Sequence, residues 1–470
     1  MEKKITKEQI LLSIINAATY KYKLINQKLK SQLLKHHITG LFNRRYLLIY
    51  GDNLLKRYNT LYIVDIRNLR TYNEIFGYEI VDQFLKAVAQ KIKSFCGQEC
   101  LLGSLDLGRF WILLHQKEEK EAIEKALSLV EYLTAKEINI KTQTKELSLL
   151  LSINVGIGIY PKHGKNIEEL LTNAEIAADR AKYKGENTVE IFKEDYRQDI
   201  ELNLEIEHQL KFAIKHGTLK GEIFPVFQAR VNPLNENIVA AEILMRWKKY
   251  SPGRFIPVAE RTGLLRYMFD VLVENSIPVL KEIFKIRPHV RVSFNISPVQ
   301  LKFWNELKES LEKLKKAEIP LSQIELEITE TGIMQENESL IDKLNFLNCE
   351  GFKILIDDFG KGYSSFERLN KLQIFGVKLD SSLLNVLRTS NGLHKSKKTT
   401  KFFRNLIYFL KSLGYNITIE GVEENEQHLV EIFRKLNVDE IQGFYYAKPV
   451  PKEKFLQCLE NWEKLKRCKD

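Results

Sequence analysis

Lys353-Ile354-Leu355-Ile356-Asp357-Asp358, running on into Phe359-Gly360-Lys361-Gly362-Tyr363, is an apolar strand that ends on two acids and then enters a glycine turn. The same grammar recurs on both sides of it. Ile238–Leu244 carries Glu242, Val290–Ser297 carries Asn295, Ile324–Ile328 carries Glu327, Val377–Asp380 carries Lys378, Asn416–Gly421 carries Glu420 and Ile441–Tyr446 carries Gln442. Helical patterns separate these strands, around Phe269–Phe284, up to Lys316 and around Ser339–Asn348. Strand and helix in regular alternation over this half of the chain predict a (β/α)8-type barrel, whose functional groups come from the C-terminal ends of several strands. A single acid after a strand is ordinarily a cap or a surface carboxylate. Acids and amides ending strand after strand would crowd and repel at one rim unless a cation sat among them.

Carboxylates and an amide oxygen on one rim make a hard-oxygen cage suited to Mg²⁺ or Mn²⁺. Adjacent Asp357 and Asp358 can face different ions, so a two-metal site that activates water against a phosphate ester is expected, with Lys378 placing positive charge where it accumulates on phosphorus. Gly360 and Gly362 read either as a tight turn or as a loop that closes over substrate.

The chain before the barrel has its own pattern. Leu61–Ile66, Phe110–His115 and Leu149–Tyr160 read as strands, with helices at Glu79–Cys96 and Glu118–Thr134, which is an α/β or α+β domain. Leu11, Ile15, Ala18, Tyr22, Ile25 and Leu29 follow steps of four and three, the spacing of a short coiled coil or of an amphipathic helix packed on its own domain. The expected organisation is an N-terminal helix over 1–35, a first domain over 36–193, a connecting helix over 194–216 and the barrel over 217–465.

Composition agrees with a globular chain of two or three domains: 470 residues, 44% hydrophobic, 28% charged, with only 23 Gly and 11 Pro. Lys and Arg number 72 against 61 acids, a net charge of +11, yet no basic block is interleaved with aromatics, so no specific nucleic-acid partner is expected. Cys96, Cys100, Cys349, Cys458 and Cys468 do not form a secreted disulfide pattern; inert thiols and a cytoplasmic location are expected. Leu147–Ile159 is interrupted by Ser148, Ser152 and Asn154 and falls short of the roughly 20 apolar residues of a spanning helix. The apolar run Ile10–Ala18 is broken by Ser13 and Asn16 and is not followed by a clean cleavage site, so neither a transmembrane segment nor a signal peptide is expected.

On these motifs the barrel resembles an EAL-type cyclic di-GMP phosphodiesterase, and the first domain resembles a degenerate GGDEF domain of nucleotidyl-cyclase-like α/β type. Glu242-Ile243-Leu244-Met245-Arg246-Trp247 stands for the signature, with Ile243 in place of Ala. Phe255–Leu265, Val292–Leu301, Ile324–Met334, Ile356–Phe366, Val377–Asp380, Ile419–Asn425 and Ile441–Pro451 follow in family order. The resemblance implies that Glu242, Asn295, Glu327 and Asp357 hold metal, that Asp358 and Glu420 complete a second ion and water site, that Lys378 orients water or phosphate, and that Glu330 anchors the loop from Asp358. It places Gln228, Arg246, Gln442 and Asp380 against the substrate. Departures are Ala229-Arg230, Lys361 for a common Thr, Ser381 for Arg, and a basic stretch over Thr389–Thr400 that reads as an exposed loop.

In the first domain His36 replaces an Asp of the opening motif, while Asp65, Asn73 and Asp82 keep positions that the resemblance links to metal and guanine. The signature itself is Asp106-Leu107-Gly108-Arg109-Phe110. Arg109 where a carboxylate belongs excludes metal-assisted cyclisation, and an inhibitory Arg-x-x-Asp is lost, its positions being Gly97 and Cys100. Asp65, Asn73 and Asp82 leave a regulatory GTP site open, although Glu186 replaces a usually basic residue; a structural or dimerising role is the preferred reading. The resemblance implies a homodimer. The expected function is therefore hydrolysis of cyclic di-GMP to linear pGpG, and the alternative is a non-catalytic cyclic di-GMP receptor acting through a protein partner.

Overall fold

The computed structural model describes residues 16–23, 32–116, 118–141, 146–334, 338–361, 372–388 and 396–465. The chain divides into two units, Met1–Glu201 and Leu202–Asp470. The helix Glu194–Lys215 runs across that division. Residues 16–23 are helical and exposed, while Leu11, Ile15, Ile25 and Leu29 lie outside the described residues.

In the first unit β1 (Thr60–Ile66) is central, flanked by β3 (Arg109–Leu114) and β6 (Ile153–Ile159), with β2 (Leu101–Ser104) and β7 (Val189–Ile191) at the edges. A small hairpin of β4 (Ile138–Lys141) and β5 (Glu146–Leu149) lies apart from that sheet. Successive strand residues face opposite ways, so β1 divides its side chains between two cores. Tyr62, Val64 and Ile66 join one cluster with the helices Tyr78–Cys96 and Glu119–Thr134, while Leu61 and Ile63 join another with Ile167–Lys184. The stretch Leu149–Tyr160, read as one strand, falls on two: β5 ends at Leu149 and β6 runs from Ile153 to Ile159.

The second unit is a closed barrel of β8 (Ile223–Val231), β9 (Ile238–Trp247), β10 (Arg291–Asn295), β11 (Ile324–Thr329), β12 (Lys353–Phe359), β13 (Gly376–Leu379), β14 (Asn416–Ile419) and β15 (Glu440–Gln442), with the short β16 (Val450–Pro451) added on β8. Strands β9 to β15 are parallel, but β8 is antiparallel to both β9 and β15. This corrects the expectation of a regular strand-helix repeat. A hairpin turn rather than a helix joins β8 to β9, with Asn232 N–H donating to Asn237 O at 2.9 Å, and so short a link permits only an antiparallel pair. Of the basic stretch expected as a loop, 389–395 lies outside the described residues and Ser396 onward is helix, to Ser412.

Among the described residues no helix is long and apolar enough to cross a membrane. Cys96, Cys100 and Cys349 carry free thiols, whereas Cys458 is disulfide-bonded, contrary to the expectation of thiols throughout.

Candidate active site

Period-two alternation turns every second residue of the barrel strands inward, and here many of the inward residues are polar. The register sets Gln228 beside Glu242, Ser293 beside Glu242, and Asn295 beside Glu327. Lys378, 1% exposed, stands at the centre. Its Nζ lies 2.6 Å from Glu327 Oε2, 2.7 Å from Glu420 Oε1, 3.3 Å from Glu242 Oε2 and 3.4 Å from Asp357 Oδ1. Asn295 Nδ2 donates to Glu242 Oε1 at 2.6 Å, and Gln442 Nε2 donates to Glu242 Oε2 at 2.6 Å and to Gln228 Oε1 at 3.1 Å.

Asp357 and Asp358 are consecutive, so an even strand would point them apart. The register of β12 shifts between Ile356 and Phe359, and Asp358 takes φ 56°, in the left-handed region. One carboxylate oxygen from each of Asp357, Asp358 and Glu420 consequently lies within 4.8 Å of the others. Asp358 N–H donates to Asp357 Oδ1 at 2.9 Å, and Gly360 N–H donates to Glu330 Oε2 at 2.9 Å, which fixes the start of the glycine turn. Residues 362–371 of that turn lie outside the described residues.

The ring holds more negative charge than its lysine balances. Burial, with Glu242 beside it, pushes the Glu327 carboxyl up to about 8. Burial likewise raises Glu420 to about 7 against the pull of Lys378. Glu242 is buried too, but Lys378, Gln442 and Asn295 outweigh that and hold it below its ordinary value. Burial opposes the charge on Lys378, and the four carboxylates overcome it, leading with Asp357. Glu327 Oε1 and Gln442 Oε1 are buried without a hydrogen-bond donor. Hard oxygen donors, surplus negative charge and a buried carboxylate oxygen without a hydrogen bond together fit divalent cations such as Mg²⁺ or Mn²⁺.

A cavity of about 580 Å³ opens beside the ring, lined among others by Arg246, Asn295, Ser297, Gln300, Glu327 and Thr331. Its size suits a small ligand. Residues 211–449 match the family described as EAL domain, and residues 36–188 match Diguanylate cyclase, GGDEF domain. The chain belongs to the EAL family, with a GGDEF domain ahead of the barrel. The bifunctional diguanylate cyclase/cyclic di-GMP phosphodiesterase MucR of Pseudomonas aeruginosa is 26% identical over 408 residues, 85% of this chain and 57% of its own length. The cyclic di-GMP phosphodiesterase NbdA of the same species is 24% identical over 451 residues, 93% of this chain and 55% of that protein. The chain spans about half the length of the curated relatives it matches. The solved S helix-GGDEF-EAL portion of Vibrio cholerae LapD, bound to c-di-GMP, has a TM-score of 0.56 at 15% identity over 91% of this chain and 99% of that one, a likeness of fold.

The EAL barrel thus brings together Glu242, Asn295, Glu327, Asp357, Asp358, Lys378, Glu420, Gln228 and Gln442. Arg246 lies along the cavity wall, its Nη1 donating to Met245 O at 3.1 Å. Asp380 faces Lys361, 3.0 Å from its Nζ. Sequence reasoning missed the layer beneath. Arg230, fully buried, pairs with Glu325 and reaches Glu440 at 3.4 Å and Glu327 at 3.7 Å, while Arg291 pairs with Glu325 at 2.5 Å and with Glu440. The signal was available: Arg230 is two residues from Gln228, Glu325 two from Glu327 and Glu440 two from Gln442, each pair sharing an inward face.

In the GGDEF domain Asp65, Asn73 and Asp82 line a cavity of about 1420 Å³ with Arg109 and Lys182. Arg109 Nη2 lies 2.5 Å from Asp179 Oδ1 and 3.3 Å from Asp65 Oδ2. A fixed guanidinium covers the carboxylate that the GGDEF resemblance associates with metal.

Proposed function

We propose that the EAL domain hydrolyses cyclic di-GMP to linear pGpG with two divalent cations, Mg²⁺ or Mn²⁺. The observation that carries this reading is the convergence of Glu242, Glu327, Asp357 and Glu420 on buried Lys378, with a Glu327 oxygen that accepts no hydrogen bond among them. Glu242, Asn295, Glu327 and Asp357 would hold one ion; Asp358 and Glu420 would hold the other. When bound, such ions lower the pKa of a water and offset the charge on phosphate oxygens.

The chain's own groups do the rest. Lys378 is held by its four carboxylates and directs a fixed positive charge at the phosphate. Gln442 braces Glu242 and is itself held by Gln228, which accepts from the same Gln442 amide. Arg246 offers a guanidinium to the substrate along the cavity wall, and Asp380 stands at the rim. Glu330 holds the glycine turn against the site through Gly360 N–H.

The GGDEF domain is read as a cyclase-inactive regulatory or dimerising module in a homodimer, because Arg109 neutralises Asp65. GTP bound at Asp65, Asn73 and Asp82 would be its regulatory input. The test is incubation of the purified chain with cyclic di-GMP and Mg²⁺ or Mn²⁺, followed by nucleotide chromatography with and without GTP. Formation of pGpG, reduced about 100-fold or more in Glu242→Gln with its folded circular dichroism retained, is expected. Tight binding of cyclic di-GMP with no product would replace the enzyme reading with that of a receptor, and a rate indifferent to GTP would leave the GGDEF domain without a nucleotide input.

A further inference from the structure

Two lysines face the acids of the barrel mouth, and they are held differently. Lys378 is enclosed and immobile, its side chain 1% exposed, whereas the Lys361 side chain is 48% exposed. Lys361 Nζ lies 2.6 Å from Asp358 Oδ1 and 3.0 Å from Asp380 Oδ2. Asp380 is itself fixed, its Oδ1 accepting from Ser382 N–H at 2.8 Å. Asp358 is thus clasped by a cation carried on its own turn, three residues along the chain. The same Asp358 presents an oxygen to the cluster it forms with Asp357 and Glu420.

We propose that Lys361 is a tethered cation that competes with a divalent ion for Asp358. An ammonium on one oxygen of a carboxylate occupies part of its lone-pair capacity and sets a positive charge beside whatever cation the rest of the group ligates. The cations on the Glu242, Asn295 and Glu327 side, Lys378 at 2.6 Å from Glu327 Oε2 and Arg230 at 3.7 Å from Glu327 Oε1, are buried parts of the barrel interior, whereas Lys361 stands half exposed at the rim. The two positions therefore differ in affinity, and filling the weaker one requires Lys361 to swing away from Asp358 toward solvent, which its exposed, flexible stem permits. Lys361 thereby sets the concentration of divalent ion at which the site is complete. The inference rests on the two-ion reading above.

Mn²⁺ titration of the full-length protein without nucleotide, followed by the electron paramagnetic resonance of free Mn²⁺, separates the two ideas. The wild-type chain is expected to take up Mn²⁺ in two classes. Lys361→Met, which keeps the stem and removes the charge, is expected to tighten the weaker class about tenfold and leave the stronger unchanged, as loss of one partly screened charge would do. Lys361→Arg, which keeps the charge, should leave the weaker class close to wild type. A weaker class that is unchanged or loosened in Lys361→Met overturns the competition while the two-ion reading stands. A wild-type chain that takes up no Mn²⁺, with Lys361→Met equally silent, removes the two-ion reading and this inference together. One ion in the wild type and two in Lys361→Met is the strongest form of the expected result.

Discussion

Arg230 and Lys378 are cations enclosed by carboxylates in the same barrel, one layer apart, and the rim lysine alone was evident as a functional candidate. Lys378 ends a strand in a sequence whose other strands end on acids, so its partners can be guessed from its position. Arg230 sits within β8, two residues from Gln228, a spacing that turns it inward but does not say that Glu325, 95 residues away, is its partner. Its weight is nonetheless large. Replacing Arg230 by Met would leave Glu325 and Glu440 to Arg291 and Glu327 to Lys378, with one buried charge uncompensated, and breaking a buried ion pair in this way costs about 3–5 kcal/mol. Urea unfolding of Arg230→Met should show a loss of that order; stability within about 1 kcal/mol of wild type would mean that the acids find other partners. Arg109 shows a converse case. The sequence marks it as a replacement that excludes the cyclase chemistry, and the structure adds that its guanidinium joins Asp65, 44 residues before it, to Asp179, 70 residues after it.

At the scale of elements, two contacts invite direct tests. In the GGDEF domain the strand β6 runs Val155-Gly156-Ile157-Gly158, and a Cβ on Gly156 would stand 2.2 Å from Ala174 O and from Ala178 N in the helix Ile167–Lys184. The missing side chain lets that helix lie directly on the sheet. Gly156→Ala must push backbone from backbone, and a loss of about 1–3 kcal/mol or more in thermal or urea unfolding is expected; an unperturbed melting temperature would show that the helix slides freely. In the EAL barrel Arg388 clasps Glu426, with Nε 2.5 Å from Oε1 and Nη2 2.9 Å from Oε2, and its Nη2 also donates to Gly421 O at 2.6 Å. The clasp steadies the turn that follows Glu420. The bond from Arg388 holds the Glu426 carboxyl below its ordinary value of 4.5. A depressed carboxylate pKa stabilises the fold fully above the unfolded value and ceases to do so as pH falls through the lower folded value. Wild type should therefore exceed Glu426→Gln in stability by about 1–2 kcal/mol near neutrality, with the gap closing only below pH 4.5. An equal gap at acid and neutral pH would contradict the assignment.

The whole chain contains separate cores. One cluster runs from Ile206 to Trp462 within the second unit, and the other two, from Tyr62 to Ile157 and from Leu47 to Ala178, belong to the first. Units with cores of their own unfold as units. Scanning calorimetry of the full chain should resolve two transitions, and because the acidic ring lies in one unit alone, Mn²⁺ should raise one of them and leave the other in place. A single transition moved as a whole by Mn²⁺ would show that the two units melt together.

The strand-helix alternation of the barrel, the polar residues Glu242, Asn295, Glu327, Asp357, Lys378, Glu420 and Gln442 on its strands, and the membership in the EAL and GGDEF families were legible in the sequence, although β9 runs on to Trp247 and leaves Glu242 within the strand rather than at its end. Their signals are local: alternation along a strand, a polar residue at its end, a glycine turn behind it. The antiparallel first strand, the buried layer of Arg230 and Arg291 with Glu325 and Glu440, the turned carboxylate of Asp358 and its clasp by Lys361 emerged only in three dimensions. Each depends on closure of the barrel or on a backbone bulge. Those bring together groups far apart in the chain, or turn neighbours that an even strand would hold apart, and no run of residues read by itself records that meeting.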